Sequence, residues 1–203
     1  MFDPKVVPNK SMIAELEPFV GLGMERIFLV TNEDEAEAAF HDLAKVRDVG
    51  FDTESKPTFL KGQQSEGPHV LQFATSERAY IFQSHIVECQ AVIVRLLKSA
   101  EIQKIGFDLR GDLDHIWRRF GVRPGGMIDL DRSFRKLGYR NAVGAKSAIA
   151  MLFQRRLMKS KSVTTSNWSS HKLSDGQLVY AANDAYAALM VYQTLNPPAS
   201  DGK

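Results

Sequence analysis

Val49-Gly50-Phe51 is an apolar run that passes without a break into Asp52-Thr53-Glu54. Side chains alternate along a strand, so Asp52 and Glu54 leave one face and Thr53 the other. An apolar strand ending in two same-sided carboxylates belongs at the margin of a buried sheet. There the backbone is held by its neighbours while the side chains reach solvent. The pattern also describes an ordinary polar strand end, and the rest of the chain has to decide between the two.

The other elements point to an α/β fold with a mixed central β-sheet flanked by α-helices. Residues 26–31 hold Ile-Phe-Leu-Val, a short buried strand. Asn32 stands three residues before Glu35, the spacing of a capping box, and predicts a helix running to about Arg47. After the 49–53 strand, residues 54–68 are polar and rich in Gly and Pro, which predicts a loop. Strands are expected over 69–74 and 79–82, joined by the turn-like Thr75-Ser76-Glu77-Arg78. Helical periodicity follows over 87–99 and 109–120, with a strand at 102–106 between them. A strand at 127–130 and helices over 130–137 and 144–153 come next, then a polar loop over 159–170. Ser174, with Gln177 at capping-box spacing, opens a last helix to about Asn196, and Pro197-Pro198 ends it. Strands grouped first and then mixed with helices suggest a mixed sheet between helices. The expected domains are an irregular arm over 1–24, one domain over 25–196 and a disordered tail over 197–203.

Charge is unevenly placed. Residues 1–94 carry 8 Lys and Arg against 15 Asp and Glu, whereas 95–172 carry 17 against 6. A basic middle opposite acidic residues suits a polyanionic partner, although a solvated basic face has the same composition. Arg155, Arg156, Lys159 and Lys161 form its densest cluster and are candidates for phosphate contacts. Cys89 is the only cysteine, which excludes an intrachain disulfide and a thiolate metal site. It reads as a small apolar core residue. No stretch reaches the roughly 18 apolar residues of a membrane span, and residues 1–10 lack an apolar signal core. The expected location is cytoplasmic.

Two further acidic positions share the spacing of a site. Asp112 follows Gly111 near the start of a helix, where the helix dipole also favours a carboxylate. Asp108 and Asp114 compete with it, and spacing does not rank the three. Tyr180 and Asp184 are four apart on the last helix and share a face. Each alone also suits a surface or packing role.

Their order along the chain resembles the DEDDy 3′–5′ exonucleases, the RNase D-like family, and is especially similar to the exonuclease domain of the Werner syndrome helicase. Gly50-Phe51-Asp52-Thr53-Glu54 is similar to the family's Asp-x-Glu motif. Lys104-Ile105-Gly106-Phe107-Asp108-Leu109-Arg110-Gly111-Asp112 is similar to its second motif, with Asp112 as the motif aspartate. Tyr180-Ala181-Ala182-Asn183-Asp184 is similar to its Tyr-x-x-x-Asp motif. Lys159-Ser160-Lys161 and Ser166-Asn167-Trp168 resemble the segment ahead of it. The resemblance covers about residues 25–195. Asp108 departs from the asparagine that many members carry four residues before the second-motif aspartate. Ser55 departs from the apolar or aromatic residue that often follows the first motif.

The resemblance implies a ribonuclease H-like exonuclease fold and two divalent ions, Mg²⁺ or Mn²⁺, held by Asp52, Glu54, Asp112 and Asp184, with Asp52 bridging. Carboxylates are the hard oxygen donors such ions take. Tyr180 is then expected to orient the attacking water, with His115 as its rival. The partner implied is a nucleic acid 3′ end, shortened one nucleoside 5′-monophosphate at a time. Phe59 and His69 are candidates to stack on the terminal base. DNA is the favoured substrate. RNA trimming in the manner of RNase D and a catalytically silent nucleic-acid-binding adaptor are the alternatives.

Overall fold

The computed structural model describes residues 7–58 and 65–197. Its centre is a six-stranded mixed sheet, in spatial order β1-β4-β3-β2-β5-β6. The strands are β1 (Ile27–Val30), β2 (Asp48–Glu54), β3 (Val70–Ala74), β4 (Ala79–Gln83), β5 (Gln103–Gly106) and β6 (Met127–Asp129). Strands β2, β3 and β4 pair antiparallel, and the remaining pairs are parallel. The predicted 75–78 turn joins β3 to β4: Thr75 N–H donates to the Arg78 carbonyl at 2.8 Å, and Thr75 Oγ1 accepts from the amides of Glu77 and Arg78. Every residue of β3 and β4 is buried, which requires cover on both faces of the sheet.

One face is covered by α2 (Glu33–Leu43), α3 (Val87–Lys98) and α4 (Arg110–Phe120), through Ala39, Leu43, Val92, Leu96 and Ile116 against Phe51, Phe73 and Phe82. Cys89 is fully buried in this layer, as a small apolar residue should be. The other face is covered by α8 (Asp175–Leu195), with α5 (Leu130–Lys136) and α6 (Ala145–Phe153) beside it. Helix α8 packs most extensively on β2. Its alanines at 181, 182, 185, 187 and 188 are all buried and keep helix and sheet close. The predicted capping box opens it: Ser174 Oγ accepts from Gln177 N–H, and Gln177 Oε1 accepts from Ser174 N–H at 3.0 Å.

Four local expectations differ. Helix α2 stops at Leu43 rather than Arg47, because i→i−3 bonds from Lys45 and Val46 tighten its end and turn the chain into β2. Its cap is as expected at Asn32, which accepts from Glu35 N–H, but Glu35 reaches back to Thr31 rather than to Asn32. The 1–24 arm is not irregular throughout: Lys10–Ala14 forms α1, capped by Asn9. The 159–170 loop contains a single-turn helix, α7 (Lys161–Thr164). The hydroxyls of Thr164 and Thr165 bond back to the carbonyls of Ser160 and Lys161, a local pattern that carries no apolar periodicity. Most of the expected tail, 198–203, lies outside the described residues. No helix among the described residues is long and apolar enough to cross a membrane.

Candidate active site

Three carboxylates meet at the C-terminal margin of β2. Asp52 and Glu54 share a face with Gly50, the face on which α8 lies, and Asp184 comes down from α8. One oxygen from each of the three lies within 4.8 Å of the others. Asp112 stands outside this group, on α4 across the strand. Thr53 ties it in from the opposite face of β2: Thr53 Oγ1 donates a short hydrogen bond to Asp112 Oδ1, while Thr53 N–H donates to Asp52 Oδ1 at 2.9 Å. The sequence places Thr53 on that opposite face but assigns it no part in the site.

Burial and mutual repulsion govern the acids. Burial, then the charges of Asp184 and Asp112, push Asp52 well above the ordinary carboxylate range. Burial and the charge of Asp52 push Glu54 up to about 9. Burial raises Asp112 to about 6 against the opposing Thr53 hydrogen bond. Asp184, only 5% exposed, is raised by burial against the pull of Lys159. Its Oδ2 is buried and faces the Lys159 ammonium at 2.6 Å. Three converging hard-oxygen donors, unwilling to ionise together and already drawing in the Lys159 ammonium, fit a divalent cation.

Tyr180 lies one turn from Asp184. Its hydroxyl accepts from Thr164 Oγ1 at 3.1 Å, and its ring packs 5.9 Å from that of Trp168. Trp168 is fully buried, a packing anchor whose Nε1–H donates to the Thr164 carbonyl. Burial and the Asp184 charge push the Tyr180 phenol up to about 12, so it stays protonated at neutral pH. His115, one turn along α4 from Asp112, is half-buried, and burial holds it below the ordinary imidazole range.

The basic cluster of the sequence does not act as a unit. Lys159 turns inward, its ammonium 2.6 Å from Asp184 Oδ2 and 5.6 Å from the centre of the Tyr180 ring. Burial opposes its charge, but the Asp184 and Asp52 carboxylates outweigh that and raise its pKa. Arg156 clamps the N-terminal arm instead of facing solvent: its Nη1 donates to the Ala14 carbonyl at 2.8 Å, and its backbone pairs with Glu17 and Phe19. Arg155 and Lys161 are exposed. The His69 ring accepts at Nδ1 from Lys56 N–H at 3.1 Å, while the His69 backbone N–H donates to the Glu54 carbonyl at 2.9 Å. It braces the strand end that presents Glu54. Phe59 lies outside the described residues.

A cavity of about 860 Å³ opens beside Tyr180, between the arm, α6, α7 and α8. Leu157, Met158 and Val163 contribute an apolar floor, and Lys10, Lys146, Arg156 and Lys159 line it with positive charge. Lys146, whose charge also acts on Asp184, was not distinguishable in the sequence from the other basic residues of the middle segment. Asp108 adopts a left-handed backbone with φ of 51°, a conformation that asparagine and aspartate both tolerate. The departure from the family's asparagine therefore preserves the turn and adds a charge that raises Asp112.

Comparison with known proteins places this geometry. The family model for the 3′–5′ exonuclease domain matches residues 27–198. The bifunctional 3′–5′ exonuclease/ATP-dependent helicase WRN of Mus musculus is 34% identical over 152 residues, covering 72% of this chain and 11% of that protein. A 3′–5′ exonuclease of Arabidopsis thaliana is 30% identical over 172 residues, covering 82% of this chain and 56% of the relative. The chain thus spans little more than half of one relative and a small part of the other. Among solved structures, the Aedes aegypti Nibbler EXO domain superposes with a TM-score of 0.72 at 23% identity, covering 86% of this chain and 88% of that one. Escherichia coli RNase D does so with a TM-score of 0.72 at 20% identity, covering 83% and 44%. These neighbours share the fold, an RNase H-like sheet flanked by helices.

Proposed function

This chain belongs to the 3′–5′ exonuclease family, and we propose that it removes nucleoside 5′-monophosphates from nucleic acid 3′ ends with two divalent ions, DNA being the favoured substrate. The convergence of Asp52, Glu54 and Asp184 within 4.8 Å is the observation that carries the reading. These three would hold the ions, with Asp112 completing the set. Bound divalent ions would supply Lewis-acid activation of water and charge neutralisation at the phosphoryl group. Tyr180 stays protonated and accepts a hydrogen bond from Thr164, and its hydroxyl would orient the attacking water rather than deprotonate it. Trp168 and Thr164 fix that hydroxyl in place. Attack at the terminal phosphorus breaks its bond to the 3′ oxygen of the preceding nucleotide and releases the 5′-monophosphate. Lys146 and the cavity beside Tyr180 offer positive charge over an apolar floor, the combination a single strand uses for phosphates and bases.

DNA is supported by DNA polymerase I of Aquifex aeolicus, 27% identical over 135 residues covering 64% of this chain and 22% of that protein. A second reading, RNA trimming, is supported by ribonuclease D of Haemophilus influenzae, 35% identical over 104 residues covering half of this chain. The full set of four carboxylates and the tyrosine weighs against a silent adaptor. A cytoplasmic location goes with the proposal and is read by cell fractionation. The deciding experiment gives the protein paired single-stranded DNA and RNA of one sequence with Mn²⁺. Faster trimming of DNA supports the proposal. Faster trimming of RNA moves the assignment to the second reading, and cleavage of neither removes the nuclease reading.

A further inference from the structure

Lys159 occupies the position where the acidic cluster most needs positive charge. Its side chain is 22% exposed and that of Asp184 4%, so the pair is largely out of water. A lysine so placed is retained only with a partner, and Asp184 Oδ2 at 2.6 Å is that partner. The contact is that of a point charge on a flexible stem, with no planar fork to hold the carboxylate in two places. Lys159 also lines the 860 Å³ cavity, so space for its flexible four-carbon stem adjoins the site. The other charged groups lining that cavity, among the described residues, are Lys10, Lys146 and Arg156. An ammonium entering it gains no carboxylate there and would need an anion.

We propose that Lys159 is a built-in counter-cation: it neutralises Asp184 while no divalent ion is bound, yields that carboxylate when one binds, and turns into the adjoining cavity to meet a phosphate of the substrate strand. This rests on the metal reading above. It separates Lys159 from Arg155, Arg156 and Lys161, with which the sequence groups it. It also gives the lysine a positioning role, coupling occupancy of the acidic cluster to a charge presented to substrate. A lysine suits this better than an arginine, whose planar fork would grip the carboxylate in two places.

The test needs no turnover. Mn²⁺ binding to the substrate-free protein is measured by calorimetry for wild type, Lys159→Gln and Lys159→Arg. Removing a like charge a few ångströms from the ion should tighten Mn²⁺ binding by roughly ten- to a hundredfold in Lys159→Gln, at the dielectric of a protein margin. Lys159→Arg, which keeps the charge and grips the carboxylate more firmly, should show no such tightening. In parallel, acylation of Lys159 in the wild-type protein by an amine-reactive reagent is followed by peptide mass spectrometry. This arm does not depend on any variant folding. Protection in EDTA that is lost on adding Mn²⁺ is the expected result. Equal labelling in both conditions, or unchanged affinity in Lys159→Gln, would overturn the proposal while leaving the metal site standing. Absence of any Mn²⁺ binding by the wild-type protein would overturn the metal reading and this inference together.

Discussion

Gly50 of β2 faces the carbonyl of Ala185 on α8 so closely that a Cβ at position 50 would overlap that oxygen and press on Leu189. The contact sits two residues before Asp52 and one residue after Asp184, so it sets how far the two halves of the acidic cluster stand apart. The substitution Gly50→Ala should force helix and sheet to separate. Overpacking of this kind costs about 1–3 kcal/mol. Urea unfolding should report that loss, and exonuclease activity should fall with every carboxylate still present. A Gly50→Ala protein with wild-type activity and stability would mean that this approach does not position the site.

Thr53 links two acids from the far face of the strand. Thr53→Val keeps the shape and removes the hydroxyl that donates to Asp112. That hydrogen bond opposes the rise of Asp112, so without it the carboxyl should titrate above its present value of about 6. Carbon-13 NMR titration of the ion-free protein reads the shift directly. An unmoved Asp112 would place the threonine hydroxyl elsewhere.

The ion-free protein should lose stability as pH rises. Glu54 is raised to about 9, and Asp112 to about 6, above the values near 4 of unfolded carboxylates. The folded state therefore binds more protons than the unfolded one between these limits. The stability this linkage contributes is complete below about pH 4 and is lost as pH climbs through 6 and on towards 9. Melting temperatures measured in EDTA should fall across that range, and saturating Mn²⁺ should flatten the fall. A melting curve in EDTA that rises between pH 5 and 9 would contradict the repulsive cluster.

Tyr180→Phe isolates one hydroxyl. The ring keeps its packing on Trp168, while the contact with Thr164 and the hold on water are lost. Single-turnover rates should drop by roughly ten- to a thousandfold, the range for a misaimed nucleophile or one missing transition-state hydrogen bond. Mn²⁺ affinity should stay within a few-fold of wild type. Full turnover would shift attention to His115.

What the sequence made legible follows from which forces are local. Alternation along 49–54 puts Asp52 and Glu54 together, and four-residue spacing puts Tyr180 with Asp184, because both periodicities are properties of the backbone. Caps at Asn32 and Ser174 are likewise short-range, and both helices begin where those residues predict. Long-range placement was not legible. Lys159, Arg156 and Lys161 are neighbours in sequence, yet one pairs with Asp184, one clamps the arm and one faces solvent. Lys104 counts as one more basic residue in composition. In the fold it is fully buried, its ammonium donating to the carbonyls of Leu96 and Ser99 at the C-terminal end of α3 and of Ile102 just before β5. Charge counts give no information on such partners, because the partners come from the topology.

The central claim is that the three converging carboxylates make a divalent-ion-dependent 3′-end nuclease. The most direct measurement follows release of the terminal nucleotide from a 3′-labelled single strand by wild type and Asp184→Ala, in Mn²⁺ and in excess EDTA. Wild type in Mn²⁺ should release labelled nucleoside 5′-monophosphate. Chelation should abolish this, and Asp184→Ala should lose several orders of magnitude while melting as a folded protein. Release that persists in EDTA, or near-normal release by folded Asp184→Ala, would contradict the account.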